Sequence, residues 1–262
     1  MNRNICEDAV DSLFDKLYPR QINLKSFETK KNLNPAIWKN GILRADVRKR
    51  LIAIAKEFVE TLKIENLPVS DIILVGSSAS YNWSKYSDID LHILVDFSKI
   101  TVTGDDDFLK NYFTSKKNGW NNTHSHLTLN GYPVELYVQG ITEENASNAV
   151  YSIKGNYWLK QPVANDYVLD KAMIKNQSAN LANRIDDIIK ATEMATSKRK
   201  LRLLNMIANK LYESIIMGRR EGLATEGEKS PDNIVFKVLR RTGHLGKLRQ
   251  LKNLIFDKLQ SL

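Results

Sequence analysis

Apolar residues in the first half of the chain predict one helix and then several strands. Between residues 44 and 64 they recur at spacings of three and four, which is typical of an amphipathic helix. The run DIILVG, residues 71–76, is short, apolar and closed by a glycine, which suits a buried strand. Residues 126–140, HLTLNGYPVELYVQG, predict a hairpin that turns at Asn130-Gly131. These elements together indicate an α/β (α+β) core with a mixed sheet.

The stretch SDIDLHILVDF, residues 87–97, alternates between polar and apolar positions. Successive side chains of a strand point to opposite faces, so Asp88, Asp90 and His92 are expected on one face and apolar residues on the other. Glu135 faces away from the apolar residues of the later strand in the same manner. A carboxylate on a buried strand face is costly unless it is paired or binds a cation. The alternation therefore predicts that these carboxylates have a common ligand.

Two N-terminal stretches carry weaker patterns. AVDSLFDKLY, residues 9–18, predicts a short helix. LNPAIWKNG, residues 33–41, predicts turn and loop, because Asn34-Pro35 interrupts regular structure. Both stretches are expected to belong to an extension of the α/β core.

Beyond residue 165 the pattern becomes helical. Apolar spacing predicts helices over residues 181–192 and 198–217, and GRREGLATEGE, residues 218–228, predicts a loop. Ser230-Pro231-Asp232 is a typical helix start, since serine caps the helix and proline suits its first position. That helix is expected to end near Thr242-Gly243 and to be followed by a final amphipathic helix.

The charge distribution separates two domains. We predict an α/β domain over residues 1–165 and a basic α-helical domain over residues 166–262. The net charge is +9, and residues 181–262 hold 17 Lys+Arg against 9 Asp+Glu, a net +8. A concentrated positive field favours RNA, DNA or nucleotide phosphates as partners. A solvated helical bundle rich in lysine and arginine is the alternative interpretation.

The sequence contains no pattern that indicates secretion or a membrane partner. The first ten residues are polar and acidic, without the apolar segment of a signal peptide. No apolar run approaches the length of a membrane span. Cys6 is the single cysteine, which excludes an intrachain disulfide and a cysteine metal cluster. We expect a reducing, cytoplasmic environment.

Asp88, Asp90 and Glu135 have the chemistry of a metal site. Side chains at positions i and i+2 of a strand share a face, and carboxylates there can bind Mg²⁺ or Mn²⁺, which prefer oxygen ligands. Two ions about 3.5–4 Å apart can bind the attacking and the leaving oxygen of an in-line displacement. Asp88 and Asp90 would then bridge both ions, and Glu135 would complete the one that activates the incoming hydroxyl. A solvent-facing Glu135 on an edge strand is the alternative.

Gly76-Ser77-Ser78 supplies groups that bind phosphate. The glycine lets the backbone approach a phosphate, while the serine hydroxyls, exposed amides and a following helical turn can bind its oxygens. Lys85 lies between these residues and Asp88, where it would neutralise phosphate charge or simply be solvated. His92 would contact the substrate or border the site.

The joined motif GSSASYNWSKYSDID resembles the Gly-Ser, spacer, Asp-x-Asp signature of the polymerase-beta-like nucleotidyltransferase superfamily. Glu135 in VELYV stands at the third carboxylate of that superfamily, where many members have Asp. The glycine that often follows the Gly-Ser pair is replaced by Tyr81-Asn82-Trp83. The superfamily resemblance covers residues 44–140. Further stretches, including LNPAIWKNG and NIVFKVLR, are similar to nucleotidyltransferase-like proteins of tailed bacteriophages.

The resemblance implies a metal-dependent enzyme. It would move a nucleoside monophosphate from an NTP, such as ATP, to an acceptor hydroxyl and release pyrophosphate. The basic C-terminal domain favours an RNA or DNA end as acceptor, in the host cytoplasm if the protein is encoded by a phage. Nucleotidylation of a protein or a small molecule is the second interpretation. The third is an inactive nucleic-acid-binding or partner-binding protein on the same fold.

Overall fold

The structure is a computed structural model that describes residues 24–100, 106–145, 147–164 and 168–261. Contacts divide the chain into two compact units, Ser26–Asp166 and a second made of Met1–Lys25 with Tyr167–Leu262. The helix predicted for residues 9–18 lies outside the described residues. None of the helices in the described ranges combines the length and the hydropathy that a membrane crossing requires.

The unit Ser26–Asp166 contains eight of the described strands and two of the described α-helices. In chain order they are Trp38–Lys39 (β1), Ile42–Leu43 (β2), Ala45–Thr61 (α1), Val69–Val75 (β3), Ile89–Val95 (β4), Asp106–Thr123 (α2), Thr128–Leu129 (β5), Tyr132–Gly140 (β6), Val150–Ser152 (β7) and Tyr157–Lys160 (β8). The predicted helix, strands and hairpin of this region are confirmed.

Among the described residues, a mixed sheet runs in the strand order β5-β6-β4-β3-β7-β8. β4 pairs with β6 in parallel, and the other neighbouring pairs are antiparallel, which confirms the predicted mixed sheet. The strands β7 and β8 were not predicted. They are three and four residues long, too short to show a period, and β8 is mostly exposed.

The alternation of β4 divides its side chains between the core and the opposite face of the strand. Its apolar positions are fully buried and pack in one core with residues of α1, α2 and β6: Ile89, Leu91, Ile93 and Val95. Asp90, His92 and Leu94, on the opposite face, are partly exposed. The burial of one face fixes the register of the strand, since a one-residue slip would turn the apolar positions out of the core.

Two hairpins turn at Asn-Gly pairs. Asn130 and Gly131 join β5 to β6 with φ values of 52° and 86°, which confirms that turn. Residues 33–41, predicted as turn and loop, do contain turns, but the prediction missed the two-residue strand β1. This strand pairs with β2 around Asn40-Gly41, where both φ values are again positive. The stacking of Trp38 on the Trp158 ring, with centroids 4.6 Å apart, holds this short hairpin in place.

The second unit is helical in the part that the structure describes: Lys171–Glu193 (α3), Lys198–Thr225 (α4), Pro231–Arg241 (α5) and His244–Ser261 (α6). Ser230 caps α5 by accepting a hydrogen bond from the Asn233 N–H at 3.2 Å, as predicted.

The prediction of a loop over residues 218–228 was wrong for its first eight residues. α4 continues to Thr225, and a 3₁₀ turn, Gly227–Lys229, follows. Gly222, within this segment, has a packing role. A Cβ on Gly222 would overlap Ser230, so the missing side chain lets α4 approach the start of α5 closely.

We expect Ile93→Ala to destabilise the protein by about 2–5 kcal/mol, because it leaves a cavity under the centre of the sheet. Ile141→Ala makes the same chemical change in the same unit at a side chain that is 47% exposed, and it should cost less than about 1 kcal/mol. Urea unfolding monitored by circular dichroism measures both. Equal losses in the two variants would contradict the assignment of β4 to the core.

Candidate active site

The three carboxylates predicted from the sequence converge at one place. β4 and β6 run in parallel with Asp90 directly opposite Glu135, and Asp88 immediately precedes β4. One carboxylate oxygen from each of Asp88, Asp90 and Glu135 can be chosen so that the three atoms lie within 4.8 Å of one another. Asp88 and Asp90 are partly buried, and Glu135 is exposed. The cluster is therefore partly buried at the two aspartates and exposed at the glutamate.

Gly76 is necessary for the position of Asp90. It follows the last residue of β3, Val75, which pairs with Asp90. Its φ is 73°, in the region that side chains disfavour. A Cβ at this position would overlap the Asp90 carboxylate. The glycine thus gives room to the acid, in addition to the approach to phosphate that the sequence suggested.

The two serines after Gly76 contact the segment that carries Asp88. Ser77 Oγ and Ser87 Oγ share a hydrogen bond of 2.9 Å, and the buried Ser78 hydroxyl donates to the Asp88 carbonyl oxygen. Ser87 Oγ also accepts a bond from the Ser84 N–H at 2.9 Å. Ser87 was not predicted as a site residue, and its position next to Asp88 is the one sequence feature that pointed to it. These bonds fix the backbone that presents Asp88.

Lys85 lies in the exposed loop before Asp88. Its ammonium group is 5.0 Å from the centroid of the Tyr86 ring. The helical turn expected after Ser77 is one 3₁₀ turn, Ser77–Ala79. The structure therefore brings Gly76, Ser77 and Ser78 to the carboxylates, whereas the contact it shows for Lys85 is with its neighbour.

His92 continues the polar face beside the carboxylates. Its Nδ1 lies 2.8 Å from Gln139 Oε1, and Gln139 Nε2 donates to the Glu143 carbonyl oxygen at 3.1 Å. Because Oε1 can only accept, Nδ1 carries the proton and Nε2 keeps its lone pair in the neutral ring. Burial lowers the pKa of His92, with a smaller lowering from Lys117, against the raising effects of Gln139 and Glu143. Burial therefore favours the neutral ring over the protonated one.

A carboxylate cluster of this kind fits a hard divalent cation. Mg²⁺ and Mn²⁺ bind carboxylate oxygens and usually keep positions for water or substrate phosphates. Three like-charged groups at short range repel one another, and a cation among them offsets that repulsion. The partly exposed side of the cluster leaves access for a ligand. Asp88, Asp90 and Glu135 are thus the residues that would hold such an ion.

The central part of the chain matches a known family. Residues 53–155 match the family model of the nucleotidyltransferase domain. The fold of this part is that of a nucleotidyltransferase domain. The match includes all three carboxylates and the Gly-Ser motif, and it supports the resemblance to the polymerase-beta-like superfamily.

Comparisons of the whole chain add little to this assignment. No curated protein matches the sequence significantly. A solved structure of a STING-associated CdnE c-di-GMP synthase from Capnocytophaga granulosa is 16% identical, over 97% of this chain and 98% of that chain, with a TM-score of 0.21. A TM-score of this size does not demonstrate a common arrangement of elements, and the likeness carries no argument about this chain.

Removal of one carboxylate should separate metal binding from stability. In the presence of a metal chelator, we expect the unfolding temperature of Asp88→Asn to equal or exceed that of the parent protein, because the substitution reduces repulsion within the cluster. Mn²⁺ at about 100 times its dissociation constant should stabilise the parent protein by about 2.7 kcal/mol and the variant by much less. Thermal unfolding with and without Mn²⁺ measures both effects. Asp46→Asn, at an exposed acid paired with Arg44, is the control. Equal Mn²⁺ stabilisation of Asp88→Asn and the parent would contradict the assignment.

The lowered pKa of His92 should appear as a dependence of stability on pH. Its usual pKa is 6.5, so below that pH the unfolded chain binds more protons than the folded one. The contribution of neutral His92 to the free energy of unfolding is fully present above pH 6.5. It is lost as the pH falls through the lowered pKa of the folded protein. The free energy of unfolding should therefore fall less for His92→Gln than for the parent between pH 7.5 and 5. His126→Gln, at an exposed histidine, should follow the parent, and parallel curves for all three proteins would refute the expectation.

Proposed function

We propose that the protein is a metal-dependent nucleotidyltransferase that moves a nucleoside monophosphate from an NTP to an acceptor hydroxyl. The observation that carries the proposal is the convergence of Asp88, Asp90 and Glu135 within 4.8 Å inside the segment that matches the nucleotidyltransferase family model. In the reaction, the acceptor oxygen forms a bond to the α-phosphorus. The bond between the α-phosphorus and the oxygen that bridges it to the β-phosphorus breaks. The hydroxyl loses its proton and pyrophosphate leaves.

In this proposal the carboxylates are the catalytic residues. Asp88, Asp90 and Glu135 would hold Mg²⁺ or Mn²⁺, which supply positive charge that neutralises the triphosphate and lowers the pKa of the attacking hydroxyl. The chain contributes position more than covalent chemistry, as is usual for phosphoryl transfer. The parallel pairing of β4 and β6 fixes Asp90 relative to Glu135, and the Ser78 hydroxyl fixes the backbone at Asp88. A nucleotide would therefore meet acids that are already oriented.

We assign the triphosphate to the segment Gly76-Ser77-Ser78. Gly76 has a left-handed φ and no side chain, so its backbone can approach a phosphate closely. The Ser78 hydroxyl contacts the Asp88 carbonyl and the residue is fully buried, so this serine would act by holding the Asp88 backbone in place. Ser77, which is partly exposed, would contribute its hydroxyl by turning the proton from Ser87 Oγ to a phosphate oxygen. Lys85 is proposed to neutralise phosphate charge from the exposed loop.

We propose a nucleic-acid end, RNA or DNA, as the acceptor class. Cations cluster on α4 and α5 of the helical unit. Burial lowers the pKa of Lys237, and Arg241, Arg219 and Arg240 lower it further, while Glu228 raises it. A polyanion beside these groups would reduce their mutual repulsion and raise that pKa. This crowding of positive charge, in a part of the chain with a net +8, supports a phosphate-rich partner.

The test is transfer of label from each α-labelled NTP, with Mg²⁺ or Mn²⁺ and a total cell extract. We expect label on an acceptor with the parent protein, and a loss of more than about 100-fold with Asp88→Ala or Asp90→Ala, because each removes a ligand that acts in the transition state. Asp46→Ala should retain parent activity. Nuclease-sensitive label identifies a nucleic-acid acceptor, and protease-sensitive label identifies a protein. Full turnover by either site variant would overturn the proposed site.

A further inference from the structure

A second concave site lies within the unit Ser26–Asp166, outside the carboxylate cluster. It is a cavity of about 760 Å³, open to solvent. Two segments form it, residues 30–41 and residues 81–83. Its lining residues are Lys30, Lys31, Asn32, Leu33, Pro35, Trp38, Lys39, Asn40, Gly41, Tyr81 and Trp83. This volume is in the range that holds small organic ligands.

Three hydrogen bonds connect the two segments with each other and with the segment Gly76-Ser77-Ser78. Trp38 Nε1 donates to the Ser78 carbonyl oxygen at 2.8 Å. Trp83 Nε1 donates to the Asn32 carbonyl oxygen at 2.8 Å, and the Lys30 N–H donates to the Tyr81 carbonyl oxygen at 2.7 Å. The cavity walls are therefore fixed to the loop that leads from Gly76 to Asp88.

The lining combines aromatic rings with positive charge. Trp38 is buried and stacks on Trp158, so it serves as a fixed wall. Tyr81 and Trp83 are partly exposed, and Lys31 and Lys39 are exposed at the rim. Among the described residues that line the cavity there is no Asp or Glu. Aromatic faces beside lysines are the chemistry that binds unpaired nucleobases and their phosphates.

We infer that this cavity binds a nucleoside phosphate, as a nucleotide a few positions before the reactive end of a single-stranded acceptor. The base would stack against Tyr81 and Trp83, and its phosphate would lie at Lys31 and Lys39. The acceptor role rests on the proposed function, whereas the binding does not. Trp83 is five residues before Asp88, so their Cα atoms lie within about 18 Å of each other. A strand of a few nucleotides is long enough to occupy the cavity and reach the carboxylates.

The phosphate contacts are tested by binding of a labelled, 5′-phosphorylated single-stranded octanucleotide, measured by anisotropy in EDTA. EDTA excludes binding that depends on a metal ion. We expect Lys31→Gln/Lys39→Gln to bind about tenfold or more weakly. The slope of log K against log salt should fall by about 1.4, the value for two lost phosphate contacts to a single strand. Lys56→Gln/Lys110→Gln removes the same charge from exposed helix positions that do not line the cavity, and it should keep the parent slope.

The stacking contact is tested at Tyr81, because its hydrogen bond to Lys30 uses a backbone oxygen that substitution leaves in place. Tyr81→Ala should weaken binding of the octanucleotide by about fivefold or more, and Tyr81→Phe should bind like the parent. Quenching of tryptophan fluorescence should accompany binding in the parent, since Trp38 and Trp83 line the cavity. Equal affinity of parent, Lys31→Gln/Lys39→Gln and Tyr81→Ala would overturn the inference.

AMP as a second probe separates the two sources of this ligand. If the octanucleotide binds more tightly than AMP, and the cavity variants lose this binding, a single strand is supported as the ligand. Equal binding of both probes would refute the strand and indicate a free nucleotide as the ligand. If the cavity variants lose binding but no NTP yields label, the proposed function is wrong and the inferred binding at the cavity is still supported. Transfer with parent KM for the acceptor in those variants would overturn the acceptor role alone.

Discussion

Parallel pairing between β4 and β6 is the constraint on which the carboxylate cluster depends. It sets Asp90 opposite Glu135, and the two-residue period of a strand puts Asp88 near them. A one-residue slip of β4 would place Ile89 and Leu91 among the acids and bury carboxylates in the core. The apolar face of the strand therefore enforces the position of its polar face. The register of β4 therefore determines both the packing of the core and the position of the carboxylate cluster.

The same arrangement has an electrostatic cost that the fold has to bear. Three carboxylates in close proximity repel one another, and two of them are partly buried. The bonds made by Ser77, Ser78 and Ser87 hold the Asp88 segment in place despite that repulsion. The glycine at position 76 avoids a steric clash with Asp90. Such features are typical of a site that is organised before any ligand binds.

Sequence patterns predicted the elements that are set by neighbouring residues along the chain. The alternation of residues 87–97 predicted both the buried face and the acidic face, because side-chain direction in a strand follows from position alone. The hairpin at Asn130-Gly131 was predictable because that pair adopts the required positive φ values. Elements that depend on distant residues were missed. Trp38 of β1 stacks on Trp158, which is far along the chain, and Gly222 in α4 lies close to Ser230 at the start of α5. The use of the Ser78 hydroxyl by the Asp88 backbone also has no sequence signature.

The most direct test of the carboxylate site is a crystal structure with Mn²⁺ and an NTP whose α–β bridge cannot be cleaved. We expect anomalous scattering from Mn²⁺ among the oxygens of Asp88, Asp90 and Glu135, with the triphosphate against Gly76 and Ser77. Metal and nucleotide bound elsewhere, with these three carboxylates free of both, would contradict it.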